Sequence, residues 1–287
     1  MSDPNWLGPK PDTGAAPPVR EPVFNLPDVI MLLVSVLAAI HLGRLLLAVQ
    51  ADLEVLSTFS VVPARFALEF GWSDKQQIVR DLAAGLDPSA ATEKLQLARY
   101  FVDGAEMRWW SVLSYALLHS GTTHIVMNCL WLAVFGSPLA RRIGAVRFLL
   151  LFAVGSIAGA FAHIGTHVTD VVPLVGASAG VSAATGAAAR FVFSRGLRMD
   201  SMSSDAAVQA LPALSLSGML WNRQALAFVV FWFATNWLFG AGVVTIAGEN
   251  QGIAWEAHTG GFLAGLMLFP LLDRSVTRAD PGAAAAH

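Results

Sequence analysis

The sequence predicts an all-α membrane protein, a six-transmembrane-helix bundle with a large outer loop between the first and second helices. Three observations predict it. The 287 residues are 55% hydrophobic and only 13% charged, with a mean hydropathy of +0.58, whereas soluble domains carry about 25% charged residues. Six apolar runs approach the ~20 residues that a bilayer requires. The connections between those runs alternate between arginine-rich and arginine-free.

In chain order, residues 1–26 are rich in Pro, Gly, Asp and Ala and read as a disordered tail. No signal peptide is expected, because the first apolar run is longer than an h-region. Pro27 and Asp28 suit a helix start, and the run Val29–Val49 follows. His41 and Arg44 lie near its far end, where Arg can snorkel to the interface. Residues 50–110 mix charges with an amphipathic stretch around Asp81–Tyr100, in which Leu82, Leu86, Leu95, Leu97 and Phe101 alternate with charged residues. They read as a folded loop domain on the membrane surface, with Trp109 and Trp110 in the interfacial belt. The further runs are Thr122–Leu139, Val146–Ile164, Ser178–Phe193, Ala225–Val244 and Ile253–Leu272. The membrane domain is thus expected over 27–273, with a short tail over 274–287.

Charge sets the orientation. Arg141, Arg142 and Arg147 lie between the second and third runs, and Arg190, Arg195, Arg198 and Arg223 around the fourth-to-fifth loop. Arg274 and Arg278 follow the sixth run, while loops 165–176 and 245–252 contain no Lys or Arg. The positive-inside rule then predicts a multi-pass protein of the cell inner membrane, with both termini cytoplasmic and the loop 50–110 outside. A net charge of -2 argues against a nucleic-acid partner and against a polybasic lipid-binding tail. Cys129 is the only cysteine, so there is no internal disulfide; it reads as apolar filler beside Asn128.

The chemistry centres on Gly176-Ala177-Ser178-Ala179-Gly180, which opens a run of small residues. Small side chains let backbones approach, so Ser178 begins a central helix with others packed round it. A hydroxyl there lies beside unpaired N–H groups at the positive end of the helix dipole. Two other readings stand beside the nucleophile: a soluble hydrolase elbow, which requires a preceding β-strand, and a helix-packing serine. Counting 1.5 Å per residue places Ser178 ~26 Å above Arg195, His258 ~24 Å above Arg274 and His124 ~26 Å above Arg141. Asn128 comes out at ~20 Å. Three helices therefore bring these polar groups to one layer beneath the outer surface, and intramembrane polar groups are functional candidates.

Ser178 needs a base, and His258 can serve. His124 and Asn128 share a helix face at i, i+4 and can donate to an oxyanion, together with the Ser178 N–H. Glu256 is two residues from His258 and so points to another face, while Asp170 and Glu249 fall in loops. The reading is a Ser-His dyad without an orienting acid. The alternatives are a packing role for His258 and a helix-tying role for Asn128. Metal ligation by His119, His124 and His258 lacks both the His-Glu-x-x-His spacing and a carboxylate, so no metal or other cofactor is expected. His163 and His167, at i, i+4, fit metal or proton binding or interfacial packing, of which packing is preferred.

These residues resemble the rhomboid intramembrane serine proteases. His119-x4-His124-x3-Asn128 resembles that family's second-helix motif, Gly176-Ala177-Ser178 its nucleophile motif, and Ala257-His258-x-x-Gly261-x-x-x-Gly265 its sixth-helix motif. Pro138-Leu139-Ala140-Arg141-Arg142-Ile143-Gly144 and the Trp-rich stretch before His119 also look alike, so the resemblance covers about residues 55–272. It implies an intramembrane serine endopeptidase that cuts transmembrane segments of membrane proteins near the outer face. Ser178 is then the nucleophile, His258 the base, and His124 and Asn128 the oxyanion hole. His119 anchors the outer loop, and Gly261 lets the fourth and sixth helices approach. Ala179 stands where many members have Gly, and Ser182 where some carry a tyrosine that stacks on the histidine. A catalytically inactive relative that binds membrane clients is the alternative. A transporter requires an internal repeat, and none is seen.

Overall fold

A computed structural model describes residues 26–103, 106–194, 205–242 and 253–273. The expected tails (apart from Leu26), Arg195, Arg198, Arg274, Arg278, Glu249 and most of the loop Gly240–Gly252 lie outside the described residues. Among the described residues the regular elements are helices, and the one β-type contact is an isolated antiparallel bridge between Val61 and Leu174.

The first apolar run forms α1 (Asp28–Leu45), with Pro27 in the capping position and Asp28 supplying an acid to the first turn. Arg44, near the far end of the run, is held by two partners. It forms an ion pair with Asp52 at 2.7 Å and donates to the His119 carbonyl at 2.8 Å. The loop region folds into α2 (Val49–Phe59), α3 (Pro63–Glu69), α4 (Lys75–Ala83) and α5 (Pro88–Val102). Asp74 caps α4 through the Gln77 N–H, and Asp87 caps α5 through the Ser89 and Ala90 N–H groups. Val62, Ile78, Leu82 and Phe101 give these helices a small core of their own. Leu86, expected on the apolar face, sits exposed in the turn between α4 and α5. The buried Arg65 guanidinium ties the region together by donating to the carbonyls of Phe101 and Ser57 and to the Ser57 hydroxyl. Burial, with the positive charge of Arg108 nearby, lowers its pKa to about 10, so it stays protonated at neutral pH.

A short α6 (Ser111–Ser114) and a 3-10 turn lead to α7 (Thr122–Trp131), which continues through a π-type turn into α8 (Ser137–Ile143). Then come α9 (Ala145–Thr166), α10 (Ser178–Val192), the short α11 (Asp205–Ala210) and α12 (Leu216–Trp221), α13 (Arg223–Gly240) and α14 (Trp255–Leu272). Among the described residues, α1, the continuous rod Thr122–Ile143 and α9 are long and apolar enough to cross a membrane. The other three runs are helical too, but α10 has 15 residues, a rise of ~22 Å. α13 begins with Arg223 and carries Asn236, and α14 carries Glu256 and His258.

α10 is the centre of the bundle, with 13 of its 15 residues buried. Its run of Gly, Ala and Ser sets the spacing of its neighbours. A methyl group added at Gly261 or Gly265 of α14 would land on the carbonyl oxygen of Ala179 or Ala183. One added at Gly155 or Gly159 of α9 would collide with the Ala183 or Ala179 side chain. Three helices thus meet at backbone distance, where dispersion across many atoms supplies the cohesion that the hydrophobic effect cannot supply in lipid. α13 packs differently. Trp232 stacks on Phe262 of α14 with centroids 4.3 Å apart, and Phe233 meets the same ring edge-on. Val230, Phe231 and Trp237 on α13 stay exposed, an apolar face suited to lipid.

At the end of the bundle away from α2–α5, Arg142 and Asp273 form a fully buried ion pair at 2.8 Å. The same guanidinium donates to the Val208 and Leu211 carbonyls and lies 4.7 Å from the Phe191 ring centroid. Arg190 donates to the Leu214 and Leu266 carbonyls. Removing one partner of such a buried pair costs about 3–5 kcal/mol, because the other is left charged and unpaired.

Candidate active site

Ser178 is the first residue of α10, where first-turn N–H groups have no partner within the helix. The turn that delivers it requires glycine at position 176, for two reasons. Gly176 has a φ of 128°, in the region that L side chains avoid, and a methyl there would lie 2.7 Å from the His124 ring. That same hypothetical methyl would be 2.8 Å from His124 Nε2 and 3.5 Å from Ser178 Oγ. The two functional atoms therefore converge across Gly176. The Gly176 N–H donates to the Tyr115 carbonyl at 3.0 Å, fixing the turn to the 3-10 segment.

His119 is 1% exposed and lies under this turn, with Nε2 3.5 Å from the Ala177 N–H. Burial first, then the nearby His124, His41 and Arg44, pulls its pKa down to about 3, so it is neutral and accepts from Ala177. Nδ1 is buried without a hydrogen-bond partner.

His124 and Asn128 project together from α7. Ser120 Oγ lies 2.9 Å from His124 Nδ1, and Asn128 Nδ2 donates to the His124 carbonyl at 2.9 Å, leaving its second proton unused by that bond. His258 enters from the first turns of α14. Its Nδ1 lies 2.6 Å from Asn236 Oδ1 on α13. The orientation of that amide is fixed, because Asn236 Nδ2 donates to the Trp232 carbonyl at 2.8 Å. Oδ1 must therefore face the imidazole and accept from Nδ1–H. The neutral ring then carries its lone pair on Nε2, the atom a general base needs.

Ser178, His258, His124 and Asn128 all line one cavity of about 970 Å³. Ser182, Trp232, Asn236 and Glu256 line it too, and Glu93 and Lys94 of α5 form part of its rim. Gly261 and Gly265 do not line it; they serve the contact between α10 and α14. Among the described residues no hydrogen bond joins Ser178 to His258. Glu256 does not touch His258 but turns toward His167, at 3.9 Å.

Asn236 is the site residue missed from sequence. The rule that picks out polar groups inside apolar helices applies to it as to the others. It went unnoticed because it stands alone in the aromatic run Phe231–Trp237, 22 residues from the histidine it holds.

A family model for the rhomboid domain matches residues 106–275. The chain belongs to the rhomboid family. The match begins at the chain leading into α6 and runs past the end of α14, so it takes in every residue of the cavity wall named above except those on α5. Rhomboid protease GlpG of Pectobacterium atrosepticum is 25% identical over 166 residues, covering 58% of this chain and 49% of that protein. Rhomboid protease GluP of Bacillus subtilis is 34% identical over 83 residues, 29% of this chain and 16% of that protein. Rhomboid-related protein 2 of Mus musculus is 39% identical over 77 residues, 27% of this chain and 25% of that protein. The aligned part thus spans at most about half the length of these rhomboid relatives. Rhomboid membership and the three apolar helices together make this a multi-pass membrane protein.

Proposed function

We propose that this rhomboid is an intramembrane serine endopeptidase that cleaves transmembrane segments of membrane proteins. The observation that carries the reading is the His258–Asn236 bond inside the cavity that Ser178, His124 and Asn128 also line. It gives a serine at a helix N-terminus an imidazole with a fixed tautomer in the same cavity. Two relatives with the word protease in their names support the reaction class.

In this mechanism Ser178 Oγ attacks the substrate carbonyl carbon while His258 Nε2 takes the hydroxyl proton. The oxyanion accepts from the Ser178 N–H, Asn128 Nδ2 and His124, whose Nε2–H is available when the Ser120 hydroxyl donates to Nδ1. Each such donor is worth roughly 3–4 kcal/mol. The C–N bond then breaks, and His258 returns the proton to the leaving amine. Water, activated by the same base, hydrolyses the acyl-enzyme.

The reading includes six spans over 27–273, both termini cytoplasmic, and the region 50–110 on the outer face. Reporter fusions after Val146 and at the C-terminus are expected to read cytoplasmic, and one near Asp81 to read outside. Cytoplasmic exposure of Asp81 would put the cavity at the wrong face and overturn the arrangement.

A peptide bond in a transmembrane helix is shielded and hydrogen-bonded, so the helix must open before Ser178 can attack. In lipid each freed backbone group costs several kcal/mol; in a wet cavity the cost falls. Preferred substrates are therefore single-span proteins with Gly, Pro or another helix-weakening residue near the outer boundary. The fifth helix, α13, with its exposed apolar face, is the side from which such a segment would arrive. Grafting such a segment into a poor substrate should create a cut near its outer end, mapped by mass spectrometry. Replacing its Gly and Pro with Leu should slow cleavage sharply; equal rates, or a cut near the cytoplasmic end, would refute the account.

An inactive client-binding relative is favoured by one observation, the missing hydrogen bond between Ser178 and His258. In unliganded enzymes such bonds are often long and tighten on substrate binding. Labelling of Ser178 by a serine-directed phosphonate is the expected result for the enzyme and not for the inactive relative.

A further inference from the structure

We propose that His163, His167 and Glu256 form a binding site for a divalent transition-metal ion, with zinc as the best fit, at the edge of the cavity. The two histidines stand at i, i+4 at the end of α9, with rings stacked 4.4 Å apart, and Glu256 is the second residue of α14. One ligand atom from each of the three lies within 4.8 Å of the others.

Hydrogen bonding around the cluster leaves it short of a positive centre. The Thr166 hydroxyl has a single proton, which it gives to the backbone carbonyls of Ala162 and His163, at 3.0 and 3.1 Å. Its oxygen can then accept from His167 Nδ1, 3.0 Å away. In that tautomer the lone pair of His167 Nε2 faces Glu256 Oε1 at 3.9 Å. Two electron-rich atoms then face one another at that distance. A proton on Nε2 would reconcile them; so would a metal ion. His163 favours the ion. Its side chain is 7% exposed, and its Nδ1 has no hydrogen-bond partner. A second imidazole beside the first gains nothing from a single proton but completes a metal's ligand set.

Two imidazoles and a carboxylate with an open fourth position suit zinc. Tetrahedral zinc with bonds of about 2.0–2.1 Å sets ligand atoms about 3.4 Å apart. The separations, 3.9 Å between His167 and Glu256 and within 4.8 Å for the whole set, close to that by side-chain rotation. The Thr166 hydroxyl is then the outer partner that orients His167. His167 and Glu256 retain side-chain exposures of 36% and 15%, so the site is open to an arriving ion. An ion here clamps the end of α9 to the start of α14, two residues before His258. It acts as a brake on the cavity, an effect that rests on the function proposed above; ion binding itself does not.

The test uses the full chain, untagged, metal-stripped and in detergent micelles, titrated with Co2+ as the probe. The expected result is the visible absorption of tetrahedral Co2+, saturating at one ion per chain and displaced by Zn2+. His167→Ala and the isosteric Glu256→Gln should each weaken binding more than about 100-fold, since even outer-shell partners are worth about 10–100-fold. Ser178→Ala and His258→Ala should keep the spectrum. No spectrum, a spectrum that survives in the His167→Ala/Glu256→Gln double variant, or one lost in His258→Ala would overturn the site. Cleavage of a transmembrane substrate by wild type should slow as Zn2+ is added, and cleavage by His167→Ala should not. Binding without slowing would overturn the brake. A metal-free chain with no turnover at all would instead refute the protease reading and leave the cobalt result standing.

Discussion

Ser178→Ala and His258→Ala are each expected to abolish hydrolysis, with a loss approaching 10⁶-fold, while the protein still inserts and folds. That corresponds to ~8 kcal/mol of transition-state stabilisation. Folding should survive because both side chains face the cavity and are only partly buried, and neither sits at a backbone-distance contact between helices as Gly261 and Gly265 do. The double variant should lose little more than either single one. A serine without its base and a base without its serine are equally useless, so their effects do not add. Single-turnover assays on all three variants, with phosphonate labelling of Ser178 as a second readout, measure this. Wild-type turnover in Ser178→Ala would remove the serine from the mechanism. Additive losses would mean that the two residues act separately. Asn128→Ala and His124→Ala should leave measurable activity, because the Ser178 N–H still faces the oxyanion.

Asn236→Leu is expected to lower kcat about 100-fold with little change in KM. General-base catalysis contributes about 10²–10⁴-fold, and a base in the wrong tautomer loses most of it. Leucine fills a similar volume but offers no acceptor, so His258 Nδ1 loses its partner and the ring no longer favours Nε2 as the basic nitrogen. Asn236→Asp keeps an acceptor oxygen at the same place and should recover part of the loss. The division between kcat and KM separates orientation from packing: a purely structural asparagine would change the melting temperature and both constants together. Wild-type kcat in Asn236→Leu would refute the role.

Much of the architecture was legible because lipid makes sequence periodicity simple. Most of the run Val29–Val49 became α1, which ends at Leu45, Val146–Ile164 became α9, and the Gly/Ala run after Ser178 became the buried central helix α10. Counting residues up from the arginines put Ser178, His124 and His258 at one depth, and all three line one cavity. What was not legible depends on contacts between residues far apart in the chain. Arg142 finds Asp273 131 residues away, which no local pattern encodes. Arg44 sits where a snorkelling arginine belongs, yet Asp52 and the His119 carbonyl claim it. The nearness of His163 and His167 to Glu256 is of the same kind, because Glu256 stands on another helix. Asn236 escaped because a dyad was complete without it.

The bond between Asn236 and His258 spans two helices that are also joined by stacked rings and by the approach of Gly240 to Trp255. If client segments enter past α13, as proposed above, its displacement would break this bond. The proposed machine would then work like a press whose blade is live only when the guard is shut. While the side door stood open the imidazole would spin idle, and whatever drifted in would meet a blunt serine. Only when α13 swung home behind a segment that fits would the ring regain its bearing. Selectivity would then reside in dwell time: a helix that unravels quickly is still inside when the guard closes, and one that stays wound has already left.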